Sequence, residues 1–251
     1  MKQSDYLKVP IPMCIYVAQN NLEKPFQTFL HLKMQYQTGK ARLSKIEMLG
    51  MCQVMGVKNI KTLKTHLNKL YSLGWIKYNK KSDYYLINSF ERIRRHYDWE
   101  SRASIAFNYS EIKNIFALVG GAIYTYQFYD FWRKVKREKI VRLMGRTYNF
   151  LSPSFNFREH HAPVATTGIE ALYGISQSKA SRIKRAAFKS SIILVKKDFK
   201  KLNFSRSDIK LMMKYGNLPK SVKQKKGSFY LQLIDLVLPI KRIKRRPKLT
   251  T

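Results

Sequence analysis

Apolar residues recur at helical spacing at Ile60, Leu63, Leu67 and Leu70, and this stripe leaves Lys61, Thr62, Lys64, Thr65, Asn68 and Lys69 on the remaining faces. The spacing predicts a helix over residues 59–72 with one buried side and one basic, short-chained polar side. Gly74 stands where that helix would stop. Two β-prone runs, 75–78 and 84–87, flank a polar stretch that carries Lys80 and Lys81, which predicts strand, turn and strand. Upstream, Pro25 can open a helix whose apolar side is Phe26, Phe29, Leu30, Leu32 and Met34, ending near Gly39. Ser44 and Glu47 have capping-box spacing for a second helix over 45–54, and Gly56 opens the turn into the third. The order over 25–90 is therefore helix, helix, turn, helix, hairpin. Before it, Pro10, Pro12 and an apolar run at 13–18 suggest an extended arm or edge strand.

A second helical pattern runs from Ser110 to about Lys139, with Ile112, Ile115, Phe116, Val119, Ile123 and Tyr126 near one stripe and Gly120 and Gly121 as a weak point. Its aromatics between Tyr124 and Trp132 could stack on bases, but at helical spacing they read better as core or as an inter-domain surface. The uncharged part, 115–129, is short for a membrane span and holds Gln127 and three tyrosines, so it reads as a buried helix. The basic stretch 133–139 fits a phosphate contact or a solvated helix end equally well. After a loop near 151–156 the pattern of the first half returns. Ile169, Ala171 and Leu172 suit a short supporting helix, Gly174 a turn with positive φ, and Ser176 the N-cap of a helix over 177–187. Ala180, Ile183 and Ala187 face inward there, which leaves Gln177, Ser178, Lys179, Ser181, Arg182 and Arg185 outside. Runs at 191–195 and 228–238 read as strands of a second hairpin, with a capped helix at 205–215 and a basic loop at 219–227 inserted between them.

Charge turns these patterns toward a polyanion. The 251 residues are 45% hydrophobic, ample for packed cores, yet carry 49 Lys and Arg against 15 Asp and Glu, a formal charge of +34. Residues 176–251 hold 22 Lys and Arg against 3 acids, and 241–248 are basic at six positions of eight. Such a tail reads as a mobile arm that orders on nucleic acid, with Lys241, Arg242, Lys244, Arg245 and Arg246 its charges. Cys14 and Cys52 lack further ligands at finger spacing, so neither zinc nor a disulfide framework is expected, and a reducing cytoplasm fits. The N-terminal residues show no apolar signal region. No phosphate-binding glycine loop is present, and the adjacent His160 and His161 point apart, so no cofactor, ATP or metal is expected. The scattered acids weaken a two-metal nuclease; the run 94–97 has the residue types of a tyrosine recombinase without the rest of its set.

The stretch 67–76 resembles the end of a winged-helix recognition helix with its first wing strand, and 174–182 resembles the turn and recognition helix of another. Two such units with a long helix between are similar in layout to plasmid and phage replication initiators of the tandem winged-helix type. The resemblance implies a mainly α fold with small β-wings (α+β), divided into an arm (1–24), a first winged-helix domain (25–90), a helical linker or dimerisation segment (91–149), a second winged-helix domain with an insertion in its wing (150–240) and a basic tail (241–251). It implies a non-enzymatic, sequence-specific binder of double-stranded DNA, cytoplasmic and nucleoid-associated, acting in replication initiation or transcription, with a homodimer as a further partner and no membrane. Base contacts are expected from Thr62, Thr65, Gln177, Ser178, Ser181 and Arg182. Phosphate contacts are expected from Lys61, Lys64, Lys69, Lys80, Lys81, Lys179, Arg185 and the tail. A recombinase or nicking enzyme and a non-specific packaging protein are the competing classes.

Overall fold

The computed structural model describes residues 6–143, 146–149, 155–202, 207–208, 210, 214, 222–225 and 228–244. It is a mixed α+β chain with small antiparallel sheets, and among the described residues no helix is long and apolar enough to cross a membrane. In chain order the elements are β1 (Tyr6–Pro10), α1 (Ile11–Gln19), α2 (Glu23–Gln35), β2 (Lys40–Ala41), α3 (Lys45–Met55), α4 (Ile60–Ser72), β3 (Ile76–Asn79), β4 (Tyr84–Ile87), α5 (Phe90–His96), β5 (Ser104–Asn108), α6 (Tyr109–Ile112) and α7 (Ile115–Glu138). They continue as β6 (Ile140–Leu143), β7 (Arg146–Asn149), β8 (Ala162–Pro163), α8 (Thr166–Tyr173), α9 (Gln177–Lys189), β9 (Ile193–Lys196), β10 (Phe199–Leu202), β11 (Val222–Lys225), β12 (Ser228–Gln232), β13 (Leu236–Pro239) and β14 (Ile243–Lys244).

The chain forms two compact units that do not follow the sequence order expected of it. The first comprises residues 1–127, 166–193 and 239–251, the second 128–165 and 194–238. Both helix pairs, α3–α4 and α8–α9, therefore belong to the first unit.

In that unit the helices start where the side chains cap them. Ser44 and Glu47 make a reciprocal capping box at α3, and Asn59 accepts from the Thr62 amide at the head of α4. Leu63, Leu67 and Leu70 of α4 are buried, and Trp75, fully buried, packs against Phe26 and Phe29 of α2 at 5.9 and 5.3 Å. β2, β4 and β3 form a sheet in that order, with Tyr78 opposite Tyr85. The two-residue β2 carries no visible sequence signal.

The N-terminal segment, expected as an extended arm or edge strand, divides into an edge strand and a helix. Residues 6–10 are an edge strand on β5, with Tyr6 opposite Asn108, but the apolar run that follows is a helix whose Ile11, Met13, Cys14, Val17 and Ala18 are buried. Pro10 at the N-cap and Pro12 in the first turn supply the fixed φ that a helix start accepts, so prolines that look like breakers here mark an N-terminus.

The long helix α7 is core where it lies in this unit, with Ala117, Leu118, Val119, Ala122, Ile123, Tyr124 and Thr125 all fully buried. Residues 117–125 thus offer no surface for dimerisation. Gly120 and Gly121 are a notch instead of a weak point: a Cβ on Gly120 would lie 2.2 Å from the Ile183 carbonyl oxygen and one on Gly121 2.3 Å from Ile192 Cγ2. Only glycine lets α9 approach this closely. The Tyr124 hydroxyl donates to the Ala180 carbonyl at 3.2 Å, fixing the same contact.

In the second unit, Phe128, Trp132, Phe155, Phe157 and His160 form an aromatic cluster, with Phe155 and His160 stacked at 4.8 Å. The aromatics of residues 124–132 are thus largely engaged inside the fold. β8, β13 and β9 form one sheet in that order, and β10, β12 and β11 another. The predicted strand 228–238 is broken into β12 and β13, and residues 222–225 of the predicted loop are strand β11, paired from Val222 opposite Leu231 to Lys225 opposite Ser228. The helix expected at 205–215 falls largely outside the described residues.

Candidate nucleic-acid interface

The polar side of α4 is open. Lys61, Thr62, Lys64, Thr65, Asn68 and Lys69 are all exposed while the leucine stripe is buried. The two threonines are less free than their exposure suggests. Thr62 Oγ1 donates to Asn59 Oδ1 at 3.0 Å and Thr65 Oγ1 to the Lys61 carbonyl at 3.1 Å, so both hydroxyls present acceptor lone pairs outward. As placed, they suit a base-edge donor such as an adenine or cytosine amino group. In the adjoining hairpin, Asn79 Oδ1 accepts from the Lys81 and Ser82 amides at 3.0 and 3.3 Å, and the Tyr78 hydroxyl donates to Asp83 at 2.7 Å. This closes a rigid turn that carries Lys80 and Lys81, both exposed, at its tip.

Gly174, at φ 62°, turns the chain from α8 into α9. Gln177, Ser178, Arg182 and Arg185 are exposed on α9 and Ser181 is half-buried. The Gln177 amide donates to Glu170 at 2.7 Å, so pairing it bidentately with an adenine requires release from that carboxylate. Ser178 lies 3.3 Å from the Ser176 hydroxyl. The Arg182 guanidinium sits over the Phe116 ring at 5.1 Å, an apolar seat that holds its fork in one plane.

Lys179 does not belong to this face. Only 9% exposed, it reaches inward to form an ion pair with Glu23 at 2.7 Å and donates to Asn21 Oδ1 at 2.8 Å and to the Ala18 carbonyl. Its position on α9 points at the α1–α2 junction, and a buried ammonium must be paired, so it cannot serve as a phosphate contact. Gln19 adds a bond from its side-chain amide to the Tyr173 carbonyl at 2.8 Å.

The tail is likewise not a free arm at its base. Lys241 forms an ion pair with Glu111 at 2.6 Å, donates to the Ala106 carbonyl at 3.0 Å and lies over the Phe107 ring at 5.1 Å. β14 then pairs with β5, Ile243 opposite Ile105 and Lys244 opposite Ser104. Lys241 is therefore removed from the phosphate set. Arg242 is exposed, whereas Arg245 and Arg246 lie outside the described residues.

One group that bears on catalysis, Tyr97, is explained by packing. The Tyr97 hydroxyl donates to the Leu73 carbonyl at 3.1 Å, its ring stacks on Trp99 at 5.0 Å, and burial pushes its pKa up to about 12. A phenol so placed is a structural donor, not an activated nucleophile. Among the described residues no group of His, Cys, Asp and Glu is arranged to hold a metal.

The sequence reading passed over Lys200 and Lys201 on β10, both exposed, although the doublets 196–197 and 200–201 were visible. Lys8 and Arg102 also had no sequence signal, and Arg95 had one only within the run 94–97; far apart in sequence, the three are brought to one cleft by the β1–β5 pairing. No protein family, curated protein or solved structure matches this chain.

Proposed function

We propose that this chain is a sequence-specific, double-stranded DNA-binding protein carrying two winged-helix motifs, acting in replication initiation or transcriptional control of a phage, plasmid or other mobile element. The observation that carries the reading is a repeated arrangement. Helix, short strand, helix, turn, helix, strand and strand occur as α2, β2, α3, α4, β3, β4 and again as α7, β8, α8, α9, β9, β13, the latter with the β6–β7 hairpin inserted after its first helix and β10–β12 before its last strand. In both, the first strand pairs with the third and the third with the second, giving the orders β2-β4-β3 and β8-β13-β9. In both, the last helix of the trio buries one stripe and exposes a basic, hydroxyl-rich or amide-rich side, the residue types that meet phosphates and base edges.

Lys61, Lys64, Lys69, Lys80, Lys81 and Arg185 are the phosphate contacts in this reading, and Thr62, Thr65, Gln177, Ser178, Ser181 and Arg182 lie nearest the bases. Selecting bound fragments from the source genome, in competition with bulk RNA and random duplex, tests it. Enrichment of one duplex sequence that survives both competitors is expected, with its position at an origin or a promoter assigning the process. Equal loss to RNA and to random duplex would favour a packaging protein instead.

A further inference from the structure

A cleft of about 640 Å³ lies on the first unit beside the edge strand β1, lined by that strand, by α5 and by residues 101, 102 and 104, and by neither α4 nor α9. Four cations and one acid line it: Lys8, Arg94, Arg95 and Arg102 against Glu91. Glu91 is already satisfied. It takes a forked pair from Arg94 at 2.7 and 3.0 Å, and Arg95 Nε stands 3.4 Å away. Arg94 spends a further nitrogen on the Trp99 carbonyl at 2.7 Å. Hydrogen bonding from Arg94, helped by the charges of Arg94, Arg102 and Arg95, holds the Glu91 carboxyl down at about 2, the mark of a carboxylate outnumbered by guanidinium groups. One carboxylate cannot neutralise this set, so Lys8, Arg95 and Arg102 remain as surplus positive charge around the opening. All three are exposed, Arg95 to 76% of its side chain.

The chemistry of the lining narrows the ligand. Tyr6, 59% exposed, and Phe90 supply ring surface among the cations. Long exposed cations interleaved with rings suit a chain of phosphodiesters with sugars and bases between, where each phosphate meets one charge and remains partly hydrated. A compact phosphate ligand is usually gripped by converging backbone amides in a closed pocket, and this opening is wide and rimmed by side chains.

We propose that this cleft is a third nucleic-acid contact, holding a stretch of sugar-phosphate backbone beside β1, separate from the faces of α4 and α9. It rests on the DNA-binding reading above and extends the footprint without adding sequence information.

The test uses the full chain and its selected duplex, with the triple variant Lys8→Gln, Arg95→Gln, Arg102→Gln compared with Lys8→Arg, Arg95→Lys, Arg102→Lys. The glutamine variant should bind about tenfold or more weakly, with a log K against log salt slope reduced by about 2 to 3, an unchanged sequence preference, and loss of one patch of backbone protection from hydroxyl radicals. The charge-keeping variant should retain the slope and the protected patch. A glutamine variant with wild-type slope and footprint, on a wild type that binds its duplex, overturns the cleft alone; a wild type that binds no duplex overturns the cleft and the DNA reading together. Tight binding of a free nucleoside triphosphate, lost in the glutamine variant while the duplex slope is unchanged, assigns the cleft to a small phosphate ligand and overturns the proposal as well.

Discussion

Lys179 shows how one residue on a polar helix face can carry a structural task instead of a recognition task. Its ammonium and the Glu23 carboxylate are 9% and 7% exposed, so each depends on the other for solvation lost on folding. Lys179→Met, which leaves Glu23 buried without its partner, should destabilise the chain by about 3–5 kcal/mol in urea unfolding, whereas the double variant Glu23→Met, Lys179→Met should lose much less. An exposed phosphate contact would give no such loss. Arg182 is the contrasting case: seated on Phe116 yet exposed, Arg182→Ala should leave stability nearly unchanged and cost about 1–3 kcal/mol of discrimination between the selected site and single-base variants. The histidines give a pH signature. Burial lowers the pKa of His31, whose Nδ1 meets the Tyr109 hydroxyl at 3.0 Å, and of His66, whose Nδ1 meets Thr28 at 3.1 Å, with the Lys24 charge adding to the effect at His66. A folded-state value below the unfolded one means the unfolded chain binds protons first. Their contribution is therefore complete above the ordinary histidine value of about 6.5 and is lost as pH falls from there through the lowered folded values. Ring-proton titrations should place both midpoints below that ordinary value, and midpoints at or above it would contradict the burial argument.

At the scale of elements, α3, α4, β3 and β4 were legible because local chemistry and the apolar period agree. Ser44, Glu47 and Asn59 mark starts and Gly74 a stop, and the leucine stripe has one period throughout. The α8–Gly174–α9 turn was legible for the same reason. What was hidden depends on partners distant in sequence. A two-residue strand such as β2 or β8 exists only because β4 or β13 pairs with it. α1 was masked by Pro10 and Pro12, which mark an arm and a helix start alike. Lys179 and Lys241 read as phosphate contacts because nothing near them in sequence reveals Glu23 or Glu111. Gly120 read as a weak point because its reason is the backbone of α9. Gly120→Ala should therefore destabilise the chain by about 1–3 kcal/mol, even though alanine is the better helix former, as measured by urea unfolding. Stabilisation by that change would mean that α9 does not sit in the notch.

For the whole molecule, the +34 charge is the ground for proposing a polyanionic partner, and the repeated order of elements is the ground for proposing how it would be held. In the proposed function, two basic helices on one chain each read a segment of duplex. Base-level footprinting on the selected duplex tests it most directly, comparing the wild type with Lys61→Ala, Lys64→Ala, Lys69→Ala on α4 and with Arg182→Ala, Arg185→Ala on α9. Two protected major-groove segments are expected, with the α4 variant losing one and the α9 variant losing the other. A single protected segment, or both variants weakening the whole footprint evenly, would contradict it.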